Sequence, residues 1–217
     1  MLVVGLTGDV GAGKSTVSRI WKSLGATVID GDEVVRVLWQ SEEMISAARK
    51  RFGEKTMCPG GAGVDRRLLA EAVFSNESDY IWACNLLHPA ALREIKERVA
   101  RSSGWVVVEI PLLYEVGKPD WIDFVVYVTA NIEKRIARTE NRGWDSGELE
   151  KREKWLMPVA EKTQLADIVL ENEGEFAGFE MKVKAMGQKI KRLSLSGEWR
   201  RTSDERNRKR ILEAIVT

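Results

Sequence analysis

The stretch Gly8-Asp9-Val10-Gly11-Ala12-Gly13-Lys14-Ser15, followed by Thr16, has the form G-x-x-x-x-G-K-S. Its flanks suit the mechanics of that pattern. Before it, Leu2-Val3-Val4-Gly5-Leu6-Thr7 reads as a buried strand, a short apolar run ending in turn residues. After it, Val17, Ile20, Trp21 and Leu24 recur at helical spacing, and Gly25 closes the segment as a C-cap. A strand, a glycine loop and a helix N-terminus aim backbone N–H groups at one spot, which suits a polyphosphate. Gly8, Gly11, Ala12 and Gly13 would cradle it. Lys14 would reach the β- and γ-phosphates, Ser15 would ligate Mg²⁺, and Thr16 would complete the loop. A dinucleotide-binding turn fits less well, because position 16 holds no third glycine. A nucleoside triphosphate is the expected ligand.

The 217 residues suit one substantial α/β domain with insertions, or one and a half domains, large enough to bury a core without disulfides. Cys58 and Cys84 are widely spaced, and with a single histidine they make no zinc pattern. They read as free thiols of a reducing compartment. The apolar start has no basic flank and meets Asp9 too soon for a secretory leader. No window approaches the ~20 apolar residues of a membrane span, so a cytoplasmic protein is expected. The net charge of +1 gives no electrostatic case for nucleic acid.

Further strands are expected at 26–29, 105–110, 123–128 and 166–172. The second ends in Asp30-Gly31-Asp32, carboxylates at the edge where α/β sheets place ligands; Asp32 also reads as the N-cap of the next helix. Helices are expected at 41–52, at 66–74 with Asp65 as cap, and from about 79 to 101 with an interruption or kink at His88-Pro89. Glu109 inside the third strand needs a partner, placing it near Lys14 or an arginine. A helix from about Asn131 carries Lys134, Arg135, Arg138 and Arg142; with a second at 148–156 it forms an arginine-rich hairpin in the place of a closing lid. Phe179, Val183, Met186 and Ile190 mark a last core helix. The basic stretch from Trp199 to Arg210 reads as a solvated or partly disordered extension.

In order and spacing these motifs resemble dephospho-CoA kinases over about residues 2–175. The resemblance is carried by Gly5-Leu6-Thr7-Gly8 with Gly13-Lys14-Ser15-Thr16, by Asp30, Asp32 and Arg36, and by Arg66, Leu69, Val73 and Phe74. His88-Pro89, Pro111-Leu112-Leu113-Tyr114-Glu115, the Arg142 region, and Ala166-Asp167 with Asn172 complete it. The chain departs from the family at Asp9 (commonly glycine), Gly31 (commonly alanine), Cys84 (commonly acidic or amide) and Leu156 (frequently glutamine).

The resemblance implies a three-layer α/β P-loop kinase fold: a five-stranded parallel sheet flanked by helices. The nucleotide core would be residues 1–35, 104–135 and 158–195. A helical acceptor-binding insertion would span 36–103, a helical lid 136–157 and a basic extension 196–217. It implies transfer of the ATP γ-phosphoryl group to the ribose 3′-hydroxyl of dephospho-CoA, with Mg²⁺. Asp32 would take or orient the acceptor proton, and Lys14 and Arg142 would serve the transferring group. Arg138 and Arg142 would bind ATP. Asp32, Arg36, Arg66, His88 and Leu112 would line the acceptor side. Two other readings fit the loop: a kinase of another small acceptor, and a non-catalytic nucleotide-binding module that reaches a partner through its basic tail.

Overall fold

A computed structural model describes residues 1–61, 63–140, 146–154 and 156–216. Five strands form one parallel sheet: β1 (Leu2–Gly8), β2 (Thr27–Asp30), β3 (Trp105–Glu109), β4 (Phe124–Thr129) and β5 (Ile168–Glu171). Their spatial order is β2-β3-β1-β4-β5. The first strand is therefore central, pairing Leu2–Leu6 with Trp105–Glu109 on one side and Val4–Gly8 with Phe124–Val128 on the other.

Strand periodicity of two divides the apolar side chains between two layers. Leu2, Val4, Leu6, Trp105, Val107, Phe124, Val126 and Val128 face one core with α1 (Lys14–Ser23) and α9 (Phe176–Ser196). Val3, Val106, Val108 and Val125 face a second core, against α2 (Gly31–Leu38) and α5 (Glu77–Ala100). A sheet buried on both faces reads as near-continuous apolar runs, which is how β1, β3 and β4 read. Two carboxylates secure strand starts: Asp123 accepts the Val3 N–H at 2.7 Å and Asp167 the Val125 N–H at 2.7 Å.

The insertion after β2 has a smaller core of its own. Trp39, Met44, Ala48, Phe52, Met57, Leu69, Val73 and Ala83 pack together from α3 (Glu42–Phe52), α4 (Arg66–Val73) and the first half of α5. Asp65 caps α4 as expected, accepting from the Arg67 and Leu68 N–H groups at 3.0 Å each. The expected interruption at His88-Pro89 is absent: α5 runs through Pro89 without a break. Pro89 lacks the N–H that would bond to the Asn85 carbonyl, but both residues are exposed, and water can serve that carbonyl.

After β4 come α6 (Ile132–Glu140), α7 (Ser146–Glu153) and α8 (Val159–Leu165). The chain ends in α10 (Glu198–Arg201) and α11 (Glu205–Val216). The basic residues Arg200, Arg201, Arg206, Arg208, Lys209 and Arg210 are solvated as expected, but the segment is helical and docks on the domain instead of being partly disordered. Trp199 and Ile215 are buried in the main core, and Ile211 and Leu212 pack against it. The Trp199 ring meets Phe124 edge-on at 5.2 Å, and its indole N–H donates to Asp123 at 3.2 Å. The basic run masks an apolar stripe at helical spacing, Ile211, Leu212 and Ile215, that the core takes up.

Candidate active site

The glycine loop lies between β1 and α1 at the carboxyl edge of the sheet, where open α/β sheets bind ligands. Gly8 has φ +148°, and a β-carbon there would sit 2.0 Å from the Val128 carbonyl oxygen, so no side chain fits. The Lys14 ammonium folds back on the loop, donating to the Gly8 and Asp9 carbonyls at 2.9 and 3.0 Å. Desolvation pushes its pKa down, opposed by the charges of Glu109, Asp32 and Asp9. Glu109 stands in the same cleft as expected. It accepts the Ser18 hydroxyl at 2.8 Å, while burial pushes its carboxyl up, against the smaller pulls of Ser18 and Lys14.

The Asp9 side chain, although part of the glycine loop, does not line the cavity over it. Its buried carboxylate accepts the Tyr127 hydroxyl at 2.5 Å and the Thr129 hydroxyl at 2.7 Å, both from β4. The cap of α2 is also reassigned. Asp30, in extended conformation, accepts the Asp32 and Glu33 N–H groups at 2.9 and 3.2 Å, so Asp30 and not Asp32 is the N-cap. Gly31 between them is closely packed, since a β-carbon there would lie 2.7 Å from the Glu109 carbonyl oxygen. The alanine common at this position would need the backbone to shift.

Two cavities meet over this edge. One, of about 650 Å³, is lined by Gly8, Gly11, Gly13, Lys14, Ser15 and Thr16, by Asp30, Asp32 and Glu109, and by Arg138 and Leu156. Ala12 is fully buried beneath the loop. The other, of about 510 Å³, reaches into the helical insertion and is lined by Arg36, Arg66, His88 and the α4–α5 apolar wall. Asp32, Phe74, Tyr80, Pro111 and Leu112 line both.

The five residues expected on the acceptor side thus share one cavity, and Asp32 and Leu112 sit at its junction with the loop. Arg36 is held by Glu33, with Nε 2.6 Å from Oε2 and a second contact from Nη2 to Oε1. Burial pushes the His88 imidazole below its ordinary value, against a smaller opposing pull from Glu115, so it faces the cavity neutral near pH 7. Cys84 pairs with Tyr80 on the same wall, and burial pushes its thiol up, away from reactivity.

Arg138 donates one Nη to the Asn172 carbonyl at 3.0 Å; its other Nη is buried without a partner among the described residues. Arg142 lies outside the described residues. Sequence reasoning placed Arg135 in the arginine-rich hairpin but gave it no role of its own. It is buried, its Nε donates to the Val10 carbonyl at 2.9 Å, and it pairs with Glu153 of α7, tying the loop to the helical hairpin. Its spacing of three from Arg138 on one helix face is the signal that could have flagged it.

Comparison with known proteins is decisive at this point. The dephospho-CoA kinase family model matches residues 2–178. The dephospho-CoA kinase of Carboxydothermus hydrogenoformans is 33% identical over 195 residues, covering 87% of this chain and 94% of that protein. The chain belongs to the dephospho-CoA kinase family. It is therefore an ATP-dependent kinase. The Geobacter metallireducens member of the family is 37% identical over 192 residues, covering 86% of this chain and 95% of the other. A Thermus thermophilus protein of known structure superposes with a TM-score of 0.70 at 33% identity, over 85% of this chain and 95% of that one. The five-stranded parallel sheet between helices is the P-loop kinase architecture anticipated from the motifs. No helix among the described residues is long and apolar enough to cross a membrane.

Proposed function

We propose that the chain transfers the γ-phosphoryl group of ATP to the ribose 3′-hydroxyl of dephospho-CoA. The observation that carries this reading is the shared wall. A loop fit for a polyphosphate and a cavity lined by Arg36, Arg66 and His88 open onto the same carboxylate, Asp32. An alcohol entering from the insertion side would meet the terminal phosphate at that carboxylate.

Phosphoryl transfer asks the protein mostly for positioning and charge neutralisation. In this reading the loop amides and Lys14 hold the β- and γ-phosphates. Lys14 exchanges its two carbonyl partners for phosphate oxygens. Asp32 accepts the hydroxyl proton as the oxygen attacks. The unpartnered Nη of Arg138 takes a phosphate oxygen, and Arg142 closes from the lid side. Arg36, Arg66, His88 and Leu112 hold the acceptor.

Mg²⁺ fits the donor set. No group of three His, Cys, Asp or Glu among the described residues could hold a metal by itself. The exposed Ser15 hydroxyl, with Asp30, Asp32 and Glu109 across the cavity, suits an ion that keeps several waters and is bound mainly through phosphate oxygens. Such an ion neutralises charge on the transferring group. We assign residues 36–103 to the acceptor, 136–157 to the lid and the rest of 1–195 to the nucleotide core.

The test is steady-state ADP release across a panel of acceptors with ATP. Acceptor-dependent turnover with dephospho-CoA is expected. ADP formation with nucleotides or sugars instead, or ATP binding without any acceptor-dependent turnover, would refute the reading.

A further inference from the structure

Lys162 of α8 is 4% exposed, an uncommon position for a lysine. Its ammonium lies 2.7 Å from Glu115 Oε1, itself on a largely buried side chain. The same oxygen accepts the Met157 N–H at 3.0 Å, at the end of the lid segment. The other oxygen, Oε2, is buried without a hydrogen-bond partner among the described residues. Glu115 belongs to the short turn after β3. In that turn the Pro111 carbonyl accepts the Thr7 hydroxyl at 3.1 Å, next to the glycine loop, and the Leu112 carbonyl accepts the Val116 N–H at 3.1 Å. Pro111 and Leu112 line both cavities, and Leu156, the residue before Met157, lines the one over the loop.

We propose that Lys162 and Glu115 are positioning residues for the transfer step, their buried ion pair fixing the foot of the lid against the turn that separates donor from acceptor. This rests on the kinase reading above. One carboxylate joins three segments that must keep register: the turn after β3, the lid foot at Met157, and α8. Removing either partner leaves the other charge buried and uncompensated, so the local structure must move to rehydrate it. Leu156 and Leu112 move with it, and so does the space in which a hydroxyl meets a phosphate. Neither member of the pair lines either of the two cavities, so they act through the segments they join. The Lys162 charge is nonetheless felt at the Lys14 ammonium, and that of Glu115 at His88.

The experiment compares the parent with Lys162→Met, Lys162→Arg and Glu115→Gln. It reads the single-turnover rate per folded molecule, KM for each substrate, the thermal midpoint, and amide exchange around Met157. Lys162→Met should slow the single-turnover rate by about 10–100-fold, the scale of a small misplacement of reacting groups. KM for ATP should change little, exchange at Met157 should quicken, and Lys162→Arg should recover most of the rate. A folded Lys162→Met protein that keeps the parent's single-turnover rate, whatever its thermal midpoint, overturns the proposal. Should Lys162→Met fail to fold, Glu115→Gln, which keeps an oxygen for the Met157 N–H, carries the same comparison and the same criterion. If the parent makes no ADP with dephospho-CoA, the substrate assignment falls, and the variants are judged on slow ATP hydrolysis by that criterion.

Discussion

The Tyr127 hydroxyl donates to the Asp9 carboxylate at 2.5 Å, across the junction between the glycine loop and β4. That contact converts a charge inside a phosphate-binding motif into a brace behind it. Asp9→Ala should leave the Tyr127 and Thr129 hydroxyls without their acceptor and destabilise the fold by about 1–3 kcal/mol in chemical denaturation. ATP affinity should change little. A large gain in affinity would mean that the carboxylate reaches the phosphates.

Asp32 stands at the meeting of the two cavities. Asp32→Asn should lower turnover by about 10²–10⁴-fold, the usual worth of a positioned general base. Nucleotide binding, followed by calorimetry, should stay near the parent's. Unaltered turnover would leave Asp32 as no more than a first-turn residue of α2.

Glu109 supplies a pH signature. Its carboxyl is pushed above the ordinary value of 4.5, chiefly by burial. As pH rises from there through the folded value, the native state holds a proton the unfolded chain has released, so stability falls with pH across that window. Glu109→Gln keeps an oxygen for Ser18 and removes this dependence. The variant's thermal midpoint should match the parent's near pH 4 and exceed it at pH 8. Equal midpoints at both values would show that Lys14 fully compensates the buried charge.

Trp199→Ala should cost about 3–5 kcal/mol, as large aromatic deletions in cores do. The expected readout is an earlier unfolding transition, with turnover per folded molecule unchanged because Trp199 lines neither cavity. An unshifted transition would mean that the C-terminal helices dock without contributing to stability.

Most of the frame was legible in the sequence because it rests on local rules. Apolar runs at β1, β3 and β4, the glycine loop, and Asp65 before α4 each announce themselves within a few residues. The residues proposed for the acceptor were named through motif resemblance, and the helical insertion brings Arg36, Arg66 and His88 into one cavity. What stayed hidden depends on distant partners or on backbone angles. Asp30 and Asp32 are equivalent as text, and only the extended backbone at Asp30 decides which one caps α2. The orientation of Asp9 is set by hydroxyls more than a hundred residues away on β4. Arg135 reads as one of several lid arginines, and Lys162 draws no notice, until folding buries them. In the tail, nine Lys or Arg residues between 189 and 210 outweighed an apolar stripe too sparse to stand out.

The indole N–H of Trp199 reaches the carboxylate that also receives the Val3 amide, and the Arg200 guanidinium donates to the Met1 carbonyl at 2.5 Å. The start of β1 and the turn into α10 are therefore stitched together. A ribosome that has released the first strand and its loop has not yet supplied the residues that seal the layer beneath them. The nucleotide fold can close completely only after Trp199 and Ile215 have been made.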